Sequence, residues 1–277
     1  MERVTSPLVK SLGSLAKLSP DDEQALARLG CHSVRTIAPR RQLVRQGAAC
    51  DGVWLILDGW ACRYKSLPDG RRQTLGFLIP GDLCDPNLYL LGQMDHGISA
   101  ITEVRYAHVS RAQMEVLTAR STSLAEALAR SALVGEAIQR EWILCLGQRS
   151  AREQIAHLIA ELFHRLKTIG LTHASGCDFP LTQSDLADAT GLTAVHVNRV
   201  LKDLRRGGLI EFDHRALVIP DLPALEGAGL FDSTYLHLCD SCRSRECDDD
   251  RRAHKDGNGL KSQLMFVYEH GADGEFS

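Results

Sequence analysis

The stretch that most restricts this chain is FPLTQSDLADATGLTAVHVNRVLKDLRRGGLIEFDHRALVIP, residues 179–220. Thr182 is a good N-cap for a helix over 183–190, and Asp185 falls in the first turn, where a carboxylate favours the helix dipole. Gly191 ends that helix and permits a sharp turn, with Leu192 packing inward. Thr193 caps a second helix from Ala194 to about Arg206, stopped by Gly207 and Gly208. Val197, Val200, Leu201 and Leu204 share one face of it at helical spacing. His196, Arg199, Lys202 and Asp203 therefore point outward. The segments LIEF and ALVIP around Asp213, His214 and Arg215 read as a two-stranded wing.

A helix, a short glycine turn, a second helix and a hairpin make a winged helix-turn-helix. A helix of this width enters the DNA major groove with its first turn facing base edges. Arg199 can hold a guanine bidentately. Thr182, Gln183, Thr193 and Lys202 can hold phosphates, with His196 and Asn198 beside them on the candidate reading helix. The net charge of −3 excludes a chain that is basic all over. It does not exclude a local basic face, which is what nucleic-acid affinity depends on. A solvated basic face on an ordinary helix pair is the rival reading, and the caps, turn glycine and wing together favour DNA.

A chain of 277 residues is long enough for two domains. From Val34 to Ser110 the texture is of short strands, with Pro68-Asp69-Gly70 as a hairpin turn. Glycines at 47, 59, 70, 81 and 97 punctuate an antiparallel roll or barrel. Two small helices precede it, the second capped by Ser19 and opened by Pro20. From Arg111 to about Lys167 helix formers dominate without a proline. Within that stretch Leu124, Leu128, Ser131, Gly135, Ile138, Trp142 and Cys145 alternate at spacings of four and three, a coiled-coil-like seam. Another helix follows from Ser150 to Gly170.

In this order, a glycine-rich roll, a long helix and the motif at 183–210 resemble the Crp/Fnr family of bacterial transcription regulators. The resemblance covers roughly residues 5–222. It implies an α+β fold: an N-terminal antiparallel β-roll of the cyclic-nucleotide-binding type (a double-stranded β-helix), a long dimerisation helix and a C-terminal winged helix-turn-helix. It implies residues 1–120 as sensor with N-terminal helices, 121–149 as dimerisation helix and 150–230 as DNA-binding domain; residues 231–277 are expected from their charged, turn-rich composition to be a flexible, cysteine-containing tail. It further implies a homodimer on a palindromic operator, with RNA polymerase as a partner. Matched one by one, the helix-start phosphate contacts fall on Thr182 and Gln183, the cap contact on Thr193, and the base-reading positions on Ala194, Val195 and Arg199. Ala194 and Val195 can at most touch a thymine methyl, so the operator should differ from that of the cyclic-AMP-responsive members.

Those members set Gly-Glu and then an arginine pair around the cyclic phosphate. Here Gly81 and Asp82 stand at the first position as the candidate effector pocket, and LLGQMDHGISAIT supplies no arginine. Without a guanidinium the phosphate lacks its bidentate partner, so cyclic AMP is not expected. His96 is the nearest basic group. An N-terminal cysteine cluster for iron–sulfur sensing is missing before Cys31; haem, nitric oxide, another ligand or no ligand stay open. Of the nine cysteines, six are scattered, as reduced, mostly buried thiols would be. Cys239, Cys242 and Cys247, spaced C-x2-C-x4-C, could share zinc or an iron–sulfur cluster with His237 or His254, but only one C-x2-C is present. The charged, turn-rich surroundings favour a passive extension, and the chain beyond about Leu230 is expected to be dispensable.

No P-loop, H-E-x-x-H or nucleophile–base pair at motif spacing occurs, so no enzyme is expected. With no signal-peptide layout and no run of about 18 apolar residues, the expected compartment is the cytoplasm and no membrane partner is implied. The alternative function is an effector-binding module, switched by a small ligand or a cysteine-bound metal or redox signal, without direct DNA readout.

Overall fold

The computed structural model describes residues 6–238, apart from 32, 174, 175, 214 and 215. Two short helices open it, α1 (Pro7–Gly13) and α2 (Pro20–Leu29). Ser19 and Asp22 form a reciprocal cap at the start of α2.

Strands β1 (Val34–Ile37), β2 (Gln42–Val44), β3 (Gly52–Asp58), β4 (Ala61–Ser66), β5 (Arg72–Leu78), β6 (Leu83–Cys84), β7 (Gly97–Ala100) and β8 (Val104–Ser110) build the roll. They form two antiparallel four-stranded sheets, ordered β1-β8-β3-β6 and β2-β7-β4-β5. Val53, Leu55, Ile56, Leu78, Ile98 and Val109 fill the space between them. The β4–β5 hairpin turns at Pro68-Asp69-Gly70, where Gly70 takes φ +89° as the turn demands.

The helical region splits at three serines. Ser110, Ser121 and Ser150 cap α3 (Arg111–Arg120), α4 (Thr122–Gln148) and α5 (Ala151–Thr168), each accepting a backbone N–H of the helix it starts. The long helix is present over nearly the expected residues, but the stripe read as its dimer seam packs on its own chain. Leu124 and Leu128 lie in the roll's core, and Trp142 packs edge-on against Phe77 at 5.9 Å. The outward stripe is Ala129, Leu133, Glu136, Arg140, Ile143 and Gly147, again spaced four and three.

Beyond α5 a small sheet ordered β11-β12-β10-β9 combines β9 (Thr172–His173), β10 (Gly176–Asp178), β11 (Glu211–Asp213) and β12 (Ala216–Val218). It brackets α6 (Gln183–Thr190) and α7 (Ala194–Arg206). The expected wing is thus half of a larger sheet; β9 and β10 are too short to leave a periodic signal.

The chain does not become a tail at 231. After α8 (Leu222–Gly229) a 3-10 turn, Ser233–Leu236, lays Leu236 into the interior with no exposure. Tyr235 donates its hydroxyl to Glu161 at 3.1 Å and lies 3.1 Å from His157 Nε2. Phe231 stacks on His164 with centroids 5.2 Å apart. The boundary inferred at 230 was therefore too early, and the folded region reaches 238. Cys239, Cys242 and Cys247 lie outside the described residues.

His157 carries a consequence for acid stability. Burial, aided by Arg149, drives its pKa from 6.5 down to about 4. The folded protein therefore holds this imidazole neutral while the unfolded chain takes up a proton. The contribution is fully present above pH 6.5 and is lost as pH falls towards 4, amounting to about 3 kcal/mol. Denaturant unfolding at pH 7 and pH 4.5 should show that loss in the wild type and a smaller one in His157→Gln. Parallel profiles for the two proteins would place the acid sensitivity elsewhere.

Candidate nucleic-acid interface

Both helices of the motif are fixed by their caps. Thr182 Oγ1 accepts from Asp185 N at 3.2 Å, and Asp185 Oδ2 accepts from Thr182 N at 2.8 Å. Gly191 follows in the left-handed region at φ +67°, which swings the chain into α7. Thr193 Oγ1 accepts from His196 N at 3.2 Å. Val197, Val200, Leu201 and Leu204 are buried, as their spacing requires.

What remains outward is the candidate reading surface. Thr182, Gln183, Thr193, Ala194, Val195, Arg199 and Lys202 are exposed, while His196 and Asn198 are half-buried. The four cations at the end of α7 are not equivalent. Arg206 pairs with Asp203 at 2.6 Å, and the Arg205 guanidinium lies 4.8 Å from the centre of the Phe212 ring. Among the described residues Arg199 and Lys202 pair with no carboxylate. They are the charges left for a ligand. Thr182 is less free than its sequence position suggests, because its hydroxyl donates to Asp185 Oδ2 at 2.7 Å. Gln183 is the better phosphate donor at that helix start.

The roll grips α6 at both ends. Arg40, in the left-handed region at φ +62°, sends both terminal nitrogens to the Asp185 carboxylate, the second at 2.9 Å. Gln73 Nε2 donates to the Ala189 carbonyl at 3.0 Å. Burial pushes the Asp185 pKa up, but the bonds from Arg40 and Thr182 outweigh it and hold the group below the usual carboxylate range. Sequence reasoning missed Arg40, whose partner lies 145 positions away.

Gly81 and Asp82 form a tight turn. Gly81 sits at φ +92°, and a Cβ there would come within 2.6 Å of the Pro7 carbonyl carbon. Asp82 Oδ2 accepts from Ile79 N at 2.9 Å and from Arg165 Nη2 at 2.7 Å. Arg165 also reaches the fully buried Glu161 at 3.5 Å, so this turn ties the roll to α5. Burial raises the Glu161 pKa against the pull of Arg165, Trp142 and Tyr235.

Both residues border a cavity of about 490 Å³ among α1, the roll, α4 and α5. It holds two guanidiniums the sequence did not reveal. Arg63 pairs with Asp85 at 2.9 Å, and Arg165 with Asp82. His96 lies 2.7 Å from Asp95 and 3.1 Å from Asp85. Burial disfavours its charge, yet these two carboxylates raise its pKa overall. Each cation in the cavity already faces an acid of its own.

Two family models match the chain: a cyclic nucleotide-binding domain over residues 34–121 and a Crp-like helix-turn-helix domain over residues 153–228. The transcriptional activatory protein AadR of Rhodopseudomonas palustris is 30% identical over 228 residues, 77% of this chain and 84% of that protein. The chain belongs to the Crp/Fnr family of transcription regulators. The transcriptional activator FnrL of Cereibacter sphaeroides is 29% identical over 201 residues, 70% of this chain and 80% of its own length. The nitrogen fixation regulation protein FixK of Bradyrhizobium diazoefficiens is 31% identical over 172 residues, covering 62% and 71%. Among solved structures, FixK2 from Bradyrhizobium japonicum superposes with a TM-score of 0.64 at 24% identity, over 71% of this chain and 96% of that one. This likeness supports the fold: roll, long helix and winged motif in one α+β chain. Among the described residues no helix is long and apolar enough to cross a membrane.

Proposed function

We propose that this regulator binds a palindromic operator as a homodimer, reading bases with α7 and joining its subunits through α4. The observation that carries the reading is that Arg199 and Lys202, on a capped, outward-facing helix, pair with no carboxylate among the described residues. For the dimer, support comes from the outward stripe of α4, where Leu133 is 59% and Ile143 69% exposed. Glu136 and Arg140, 3.7 Å apart, interrupt that stripe. Such apolar positions at coiled-coil spacing gain most by meeting a second copy. A twofold dimer sets two recognition helices about 34 Å apart on one DNA face. FnrL and AadR carry activator in their names, which favours activation and a contact with RNA polymerase here.

The test is selection of bound DNA from a random pool by the purified protein, with sedimentation to give the subunit count. An imperfect palindrome and a dimer that dissociates on Leu133→Asp are the expected results. A site without twofold symmetry, or a monomer at micromolar concentration, would overturn the reading.

Cyclic AMP is not the switch in this proposal. Arg63, Arg165 and His96 are each paired with Asp85, Asp82 or Asp95, so a phosphodiester entering the cavity meets a carboxylate beside every cation. Calorimetric titration to millimolar cyclic AMP should give no saturable heat, and DNA affinity should stay unchanged. Micromolar binding would refute this.

A further inference from the structure

Between Val34 and Gln46 the chain carries Arg35, Arg40, Arg41 and Arg45 and no acidic residue. All four arginines are exposed, and among the described residues only Arg40 meets a carboxylate, that of Asp185. They lie on β1, on the turn that follows it and just past β2, the edge strands of the roll's two sheets. Charge on an edge strand deters pairing with another chain, but either sign serves that purpose. A run of one sign, on a chain whose net charge is −3, fits a polyanion instead.

The fold sets this edge beside the helix-turn-helix. Arg40 holds the β1–β2 turn against the start of α6 through Asp185, and the two sides enclose a groove of about 770 Å³. Arg40, Asp58 and Glu103 line it from the roll, and Thr182, Gln183 and Arg205 from the motif. Asp58 and Glu103 are exposed and repel phosphate, so a DNA strand held at Gln183 passes over the groove and not into it. On the roll's side stands Arg41, next to Arg40 in the chain and outside the groove lining.

Resting on the DNA-reading role of α7, we propose that the edge carrying Arg35, Arg41 and Arg45 is a second DNA surface, which takes the sugar–phosphate backbone flanking each half-site. Contacts to phosphate oxygens carry no sequence information, so the edge adds affinity and not specificity. Strands β1 and β2 each run roughly 10 Å at about 3.3 Å per residue, which matches about three base pairs of flank.

The experiment uses the full chain and the operator it selects, in duplexes with about two or about ten base pairs outside the half-sites. The wild type should prefer the longer duplex by about tenfold at low salt, whatever the flanking sequence. Its salt dependence there should be steeper by about four ions, two per subunit. Arg35→Gln/Arg41→Gln/Arg45→Gln should bind the short duplex as the wild type does, which also reports an intact fold, and lose the preference for the long one. Lys17→Gln/Arg28→Gln/Arg120→Gln removes as many exposed charges elsewhere and should keep that preference. Affinity independent of flank length in the wild type overturns the proposal and leaves the DNA-reading role standing. A preference that persists in the edge variant assigns the flank to other residues and also overturns it. Unchanged DNA binding with lost transcription by added RNA polymerase makes the edge a protein-docking surface and overturns it too. Failure to select any site removes the DNA-reading role and this proposal together.

Discussion

Arg199→Ala should abolish discrimination at one symmetric base pair of the operator, at a cost of about 1–3 kcal/mol per half-site. The expectation follows from charge that the protein itself leaves unmatched. Arg206 is neutralised by Asp203 and Arg205 lies against Phe212, whereas Arg199 faces solvent with its guanidinium uncommitted among the described residues. A bidentate pair to guanine is lost as a unit when the side chain is cut to a methyl. With two copies on one site the specific complex weakens by about 2–6 kcal/mol, and random DNA weakens far less. Lys202→Ala should behave differently. A phosphate contact carries no sequence information, so all sequences weaken evenly and the salt dependence flattens by about one ion per contact. Filter binding of both variants to operator and random duplexes at several salt concentrations separates the roles. Equal losses on the two DNAs for both variants would mean that α7 presents another face to the groove.

The reading helix was legible because its determinants are local. Thr182, Gly191, Thr193 and Gly207 set its boundaries, and the buried stripe at 197, 200, 201 and 204 sets its orientation, all within about two dozen residues. The long helix shows where such reading stops. Positions 124, 128, 131, 135, 138, 142 and 145 and positions 129, 133, 136, 140, 143 and 147 both follow alternating fours and threes. Periodicity finds both stripes, but the partner that covers each is decided by folding. The more apolar stripe went to the roll and α5, through Leu124, Leu128 and Trp142. The effector region was hidden for a related reason. Asp82 stands out as a ligand group through its neighbours in sequence, while Arg165, which donates to it, lies 83 positions away. Arg63 enters the cavity from β4, outside the segment 90–102 where the family resemblance places an arginine.

Truncation after Leu230 should destabilise the protein by an amount on the order of 3–5 kcal/mol, and truncation after Leu238 should leave it unchanged. Of the eight residues between those points Leu236 is buried, and Phe231, Tyr235 and Leu238 are half-buried. Leu236 is fully enclosed, and Phe231 packs on His157 and His164 at 5.1 and 5.2 Å. Their loss opens apolar space against α5. It also removes the Tyr235 hydroxyl from between Glu161 and His157, two groups that are almost wholly buried. Glu161 would keep Trp142 at 3.0 Å and Arg165, but with one donor fewer its burial becomes costlier. For a protein of this size the melting temperature should fall by roughly 10 °C. Operator binding should then decline with the folded fraction, because α5 also supports α6 and α7 through their shared core. The 1–238 protein should melt, dimerise and bind operator as the full chain does, since Cys239, Cys242 and Cys247 then have no part in folding or reading. The competing view makes those cysteines a metal-dependent sensor. Anaerobically purified full-length protein should accordingly be assayed for zinc and iron beside the 1–238 form. Stoichiometric metal in the full chain, together with altered operator affinity on its removal, would make residues 239–277 the regulatory segment. Equal melting of the 1–230 and 1–238 proteins would instead show that the Tyr235–Glu161–His157 contacts contribute little to holding the DNA-binding half together.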